Sequence, residues 1–377
     1  MEPSTTKYRI QHFLAAFAVV LCVTGPLLPQ QGRQSKRHRI QVPYIMPTHA
    51  NVKYGLHKRN WVAARDVGQR TKTSADSVAF PGTDWEETAP EAQGVDPAKL
   101  ESAVEFLKKN TPHDGVKRLV IVRNGRIIWK GDEADRRQRV WSVTKAFTST
   151  AHGLLIDDGK CTLDTLAKDY NPKLAQHYPT VTLRHLATMT SGIDSVGGSY
   201  DCDAKGRCDR NALADPLPPF FPPGTKYQYW DEATQQYGFV LTKIAGEPLH
   251  DLLQRRILAP IGIRKVGWLP DETRKVLNWT GGLEITASDL ARFGHLFLNR
   301  GRWNGNQLIS AEWVDAATSV QVPPSIPDAL PTSNRKGSGV YGYHWWPNGT
   351  RPDGTRRWQH APHGTYGCLR GTWSSCG

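Results

Sequence analysis

The chain has 377 residues, 38% of them hydrophobic, which is enough to bury a full core and excludes a disordered or fibrous class. Its formal net charge of +13 would ordinarily suggest nucleic acid or an anionic surface as a partner, but residues 1–80 alone hold 12 Lys/Arg against 3 Asp/Glu. The basicity therefore belongs to the N-terminal segment, no nucleic-acid motif accompanies it, and no nucleic-acid partner is expected.

Lys7 and Arg9 precede an apolar run over residues 13–23, which Gly25 and Pro26 close. A charged start and an apolar stretch short for a bilayer predict a secretory signal peptide over residues 1–29, with an uncleaved N-terminal anchor as the alternative. Either implies an exported chain, periplasmic or extracellular, that meets a membrane only through this segment. Residues 30–84 are basic and polar with weak periodicity and read as a linker, so the folded domain is expected over residues 85–377. Asp96 followed by Pro97, with Leu100, Val104 and Leu107 at helical spacing, predicts a helix. Two β-branched runs, residues 119–122 and 127–129, flank Asn124-Gly125 and predict a hairpin.

Trp141-Ser142-Val143-Thr144-Lys145 then opens a helix expected over residues 143–155 and stopping near Gly159. Residues three apart share a helix face, so the Lys145 amine stands beside the Ser142 hydroxyl. A serine hydroxyl is inert at neutral pH without a neighbouring base or cation, and Lys145 can serve as either. The helix N-terminus adds partial positive charge where an oxyanion would form. Ser-x-x-Lys also occurs by chance on solvated helix turns, so its weight depends on what surrounds it.

Beyond it, helices are expected over residues 183–192, 237–244, 249–257 and 288–298, the last with Leu290, Phe293, Leu296 and Phe297 on one side. Strand character returns over residues 339–346. The six cysteines form no Cys-x-x-Cys pair and no His cluster has zinc spacing, so no metal is expected. Cys202 and Cys208 bracket a polar loop that a disulfide can close in an exported protein, whereas Cys161 reads as a small core hydrophobe. Strands, a helical insert and strands again imply a mixed sheet beside a helical subdomain.

Taken in order, these segments resemble the serine β-lactamase and penicillin-binding-protein superfamily, especially its class C and esterase-like branch, over residues 85–346. The likeness rests on the Asn124-Gly125 hairpin, Ser142-Val-Thr-Lys145, the stretch from Leu155 to Asp164, and Thr182-Leu-Arg-His-Leu-Ala-Thr-Met-Thr-Ser-Gly192. Pro223-Gly224-Thr225 with Tyr229, and Gly281-Gly-Leu-Glu-Ile-Thr-Ala-Ser-Asp-Leu290, complete it. The resemblance implies an α+β fold, an α/β sandwich of antiparallel sheet and flanking helices with an inserted helical subdomain. It also implies a serine hydrolase, without cofactor, that cleaves an ester or amide of a small molecule or peptide through a Ser142 acyl-enzyme.

Tyr229 stands at the family's tyrosine position, and the resemblance implies that it sits across the cleft from Ser142 and Lys145 and relays a proton. A nearby cation favours the phenolate, so a lowered Tyr229 pKa is expected; the alternative is an aromatic packed in the core beside Tyr227 and Trp230. Asp231 stands where the family carries asparagine. A carboxylate only accepts hydrogen bonds, and facing the cleft as a substrate-binding residue it adds negative charge beside Lys145 and turns preference away from carboxylate-bearing ligands. Otherwise Asp231 caps a helix starting at Glu232. That residue favours an esterase or a D-amino peptide hydrolase over a β-lactamase. The family's third element is Lys-Thr-Gly or His-x-Gly, and His363-Gly364-Thr365 is the nearest candidate, making His363 a candidate substrate-binding residue. The last ten residues match nothing in the family, so the C-terminal strands and helix are expected to be missing. An inactive truncated homologue or a cell-wall-peptide binding module is the alternative function, since losing one oxyanion-hole donor costs about 3 kcal/mol. Asn278 and Asn348 head glycosylation sequons.

Overall fold

The computed structural model describes residues 19–23, 78–110, 115–193, 218–264, 266–271, 276–277, 279–330, 341–347 and 359–360. Strand β1 (Val19–Val23) comes first, then helix α1 (Pro97–Asn110). Asp96 Oδ1 accepts from the backbone N–H groups of Ala98 and Lys99 at 2.9 and 3.2 Å, as a carboxylate before Pro97 should. Strands β2 (Leu119–Arg123) and β3 (Arg126–Lys130) form the expected hairpin. Asn124 and Gly125 both have positive φ, 50° and 79°, which a two-residue turn of this hand requires. Val104 and Leu107 of α1 pack on Leu119, Ile121 and Ile128 of this hairpin. The other edge of β2 pairs in parallel with β1, Val19 opposite Leu119 and Val23 opposite Arg123.

After β4 (Gln138–Arg139) a 3-10 turn (Trp141–Val143) leads into α2 (Thr144–Asp157), whose residues 144–156 are all buried. Then come α3 (Leu183–Ala187), α4 (Asp231–Ala245) and α5 (Leu249–Leu253), the last continuing through a π-helical turn, Gln254–Leu258. Strands β5 (Gly267–Trp268), β6 (Pro270–Asp271), β7 (Val276–Leu277) and β8 (Leu283–Ile285) follow. Antiparallel β4 and β5 flank β8, while β6 and β7 pair with each other. Helix α6 (Ala287–Leu298) starts where the Thr286 side chain accepts from Asp289 N–H. Hairpin β9 (Arg302–Trp303) and β10 (Asn306–Gln307), helix α7 (Ala311–Ala317) and the pair β11 (Trp346–Pro347) and β12 (Gln359–His360) complete the order.

Helix α2 runs through the main core, with Phe147 stacked on Phe293 of α6 at 4.0 Å. Cys161 is buried, as expected, and burial pushes its thiol up to about 12. Residues 78–84, expected as the end of a linker, instead belong to the folded body. His295 Nε2 donates to Ala79 O at 2.8 Å, and Arg292 donates to the carbonyls of Gly82 and Thr83, both at 2.8 Å. A buried guanidinium needs such acceptors, and this segment supplies them. Among the described residues no helix is long and apolar enough to cross a membrane. The remaining N-terminal segment, Cys202, Cys208, Asn278 and Asn348 lie outside the described residues.

Candidate active site

Ser142 lies in the 3-10 turn just ahead of α2, one turn earlier than a nucleophile inside the helix would. The residue before it, Trp141, has φ +47°, a left-handed conformation that costs a bulky side chain about 1–3 kcal/mol. Local contacts hold it there. Thr144 Oγ1 donates to Trp141 O at 2.6 Å, and the Arg139 guanidinium lies 4.0 Å from the Trp141 ring centre. The strained turn leaves Ser142 half-buried at the head of a helix whose other side chains are submerged.

Lys145 is fully buried and its Nζ meets three acceptors: Ser142 Oγ at 3.1 Å, Asp231 Oδ1 at 2.6 Å and Thr280 O at 3.0 Å. An ammonium has three N–H bonds, and each has an acceptor here. The Thr280 carbonyl is carried by a strap, residues 279–283, tied to two helices. Thr148 Oγ1 donates to Trp279 O at 3.2 Å, Leu283 N–H donates to Thr144 Oγ1 at 3.1 Å, and Trp279 N–H donates to Gln235 Oε1 of α4 at 3.1 Å. Sequence reasoning placed residues 281–283 among the resembling motifs without a role, and Thr280 only in the Asn278 sequon. Its contribution to Lys145 is a backbone carbonyl, which no side-chain pattern announces.

Tyr229 is set by the segment after α3. Met189 adopts φ +60° and its carbonyl accepts from Gln228 N–H at 3.0 Å, while Gly224 N–H donates to Thr190 O at 2.8 Å. The Tyr229 ring stacks on Trp346 at 6.0 Å and meets Tyr341 edge-on at 6.2 Å. Lys145 Nζ is 4.9 Å from its centre. The structure thus brings Ser142, Lys145 and Tyr229 together. It corrects the expected acidity, however. Burial first and the Asp231 charge second raise the Tyr229 pKa well above 10, against a smaller lowering by the hydrogen bond to Ser142. The phenol is neutral at neutral pH.

Asp231 is the first residue of α4, with Trp230 at the N-cap, so it does not cap a helix beginning at Glu232. Its carboxylate forms an ion pair with Lys145, with side-chain exposures of 23% for Asp231 and 0% for Lys145. Its first partner is therefore Lys145. His344, buried with φ +61°, lies on the segment behind Tyr229, and its backbone N–H donates to Ala187 O at 3.1 Å. Burial first and the Lys145 charge second hold its pKa well below 6.5. His363 lies outside the described residues. Among the described residues no group of three or more His, Cys, Asp or Glu is placed to hold a metal ion.

A hydroxyl bonded to a buried amine, with a phenol opposite, is suited to nucleophilic acyl transfer. Esterase EstB of Burkholderia gladioli is 28% identical to this chain over 189 residues, which is 41% of this chain and 47% of the esterase. The 6-aminohexanoate-dimer hydrolase of Paenarthrobacter ureafaciens is 24% identical over 235 residues, 58% of this chain and 60% of the hydrolase. Matches to these relatives thus take in about half to three-fifths of their length. A Bacteroides dorei protein, solved as a candidate beta-lactamase, superposes with a TM-score of 0.57 at 21% identity, covering 71% of this chain and 84% of that one. The beta-lactamase family profile matches residues 115–372. Since that match takes in well over half of the chain, the protein belongs to the beta-lactamase family and has its α+β fold.

Proposed function

We propose that the protein is a serine hydrolase that cleaves an ester or amide through an acyl-enzyme on Ser142. The observation that carries this reading is the 3.1 Å contact between Lys145 Nζ and Ser142 Oγ, with the Tyr229 ring centre 4.9 Å from the same Nζ. As Ser142 Oγ bonds to the substrate carbonyl carbon, its proton leaves toward Lys145. Lys145 can take it if one of its own protons has passed to Asp231 Oδ1, 2.6 Å away. Tyr229, a neutral phenol, then supplies a proton to the departing alkoxide or amine and recovers it from the water that attacks the acyl-enzyme. In that second step Ser142 Oγ leaves with the proton held by Lys145, Asp231 Oδ1 returns its own to Lys145, and the free side chains are restored as the acid departs.

The relatives named for an ester and for an amide support the pair of bond types. Between an esterase, a D-amino peptide hydrolase and a β-lactamase, the carboxylate of Asp231 favours the first two. Lys7, Arg9 and the apolar run after them support export, with the N-terminal segment as leader or anchor. The catalytic reading is tested by exposing the full chain to a fluorophosphonate probe and measuring its intact mass. A single adduct is expected, absent from Ser142→Ala; no adduct on folded chain would end the proposal.

A further inference from the structure

We propose that Asp231 is a specificity-determining residue that turns this site against substrates bearing a carboxylate near the scissile carbonyl and toward neutral or cationic acyl groups. The inference rests on the reading of Ser142 as nucleophile and concerns what the site admits. Lys145 and Asp231 sit 2.6 Å apart, so the cation beside the nucleophile is balanced by an anion on the same spot. The two are not equally presented. The lysine has no exposed side-chain surface, whereas the carboxylate keeps 23%. An arriving molecule therefore meets the anion first and the cation only through it.

Of the neighbouring groups, His344 and Tyr229 add no positive charge, and the Arg139 guanidinium, which keeps its charge, is engaged elsewhere. His344 behind Lys145 is neutral, because burial and the lysine charge oppose its protonation. Tyr229 is a neutral phenol. The Arg139 guanidinium, on the strand that leads to Ser142, donates to Gly281 O at 2.6 Å and lies over the Trp141 ring. An asparagine in place of Asp231 keeps the shape and an acceptor oxygen for Lys145, but leaves the lysine charge uncompensated. In a partly buried cleft one unit of charge at contact range changes selectivity by about tenfold or more, and salt weakens the effect.

The test compares two esters of nearly equal shape, mono-p-nitrophenyl glutarate, whose acyl group ends in a carboxylate, and its terminal carboxamide, at low and high ionic strength. For the full-length chain we expect kcat/KM to favour the carboxamide by about tenfold or more at low salt, and the gap to narrow as salt is added. Asp231→Asn should shrink the ratio by about tenfold, whatever it does to the absolute rates. A general structural loss would lower both substrates together and leave the ratio alone. Equal use of both esters by the unaltered chain at low salt would overturn the proposal, and so would a ratio unchanged in a folded variant. If Asp231→Asn does not fold, the salt dependence of the unaltered chain decides. Intact mass separates the two levels: no fluorophosphonate adduct on the folded chain removes the serine-hydrolase reading and this inference with it. Adducts with a flat ratio remove only the inference.

Discussion

At the scale of single residues, the candidate site is a serine hydroxyl beside a buried lysine whose other acceptors, Asp231 and Thr280, come from the same fold. Ser142, Lys145 and Tyr229 were legible because each is a side chain at a motif position. The helix geometry that joins Ser142 to Lys145 follows from spacing alone. Thr280 was not legible, since its carbonyl acts through the path of the strap. The Tyr229 acidity was misjudged for a related reason: a cation 4.9 Å away is visible in a motif, but the burial that outweighs it is a property of the packed fold. A neutral relay carries a specific expectation. Tyr229→Phe should slow acylation by about a hundredfold or more, and the residual activity should keep the shape of its pH profile between pH 6 and 9. Stopped-flow release of p-nitrophenol measures both; loss of an ionisation from that range in the variant would mean that the phenolate is the base.

At the scale of elements, the nucleophile turn depends on how α2, α4 and the 279–283 strap lock together. Gly238 lies inside α4 against Trp279, and a Cβ there would overlap the indole ring. Alanine for glycine within a helix ordinarily stabilises by about 0.5–1 kcal/mol. Here we expect the reverse, a loss of about 1–3 kcal/mol from overpacking. Because Trp279 precedes Thr280, the displaced ring should also draw the Thr280 carbonyl away from Lys145. Thermal unfolding and acylation of Gly238→Ala should therefore fall together; a stabilised variant would show that the ring gives way freely. The same helix explains a limit of sequence reading. Its expected start at residue 237 was six residues late, because its first turns bury Glu232, Thr234, Gln235 and Gln236, and polar residues on an inward face erase apolar periodicity. Gln235 holds Trp279 and Gln236 accepts from Asn171 Nδ2 at 2.9 Å, so those positions are polar in order to bond. By contrast α1, the β2/β3 hairpin and α6 were found close to their bounds, since caps and turn residues mark them locally.

At the scale of the whole molecule, buried imidazoles set the acid limit of stability. Burial first, and the Arg184 charge second, bring His152 down from 6.5 to about 3, and its Nδ1 shares a 2.6 Å hydrogen bond with the Tyr237 hydroxyl. His185, His295 and His344 are also shifted downward by burial. A group with a depressed folded pKa binds protons more readily when unfolded. Its contribution is therefore complete above pH 6.5 and drains away as pH falls toward the folded value. For His152 alone the slope is about 1.4 kcal/mol per pH unit between 6.5 and 3. Urea unfolding at pH 7, 6 and 5 should show stability dropping over that window; a flat response would place these rings in contact with water. The parallel pairing of β1 with β2 has a different kind of consequence. The five residues paired with Leu119–Arg123 come from the segment proposed as a leader or anchor, and a segment engaged in export cannot complete this sheet at the same time. A peptidase acting after residue 29 would unzip that row and bare a strand edge, so the processed chain would be the stickier of the two forms.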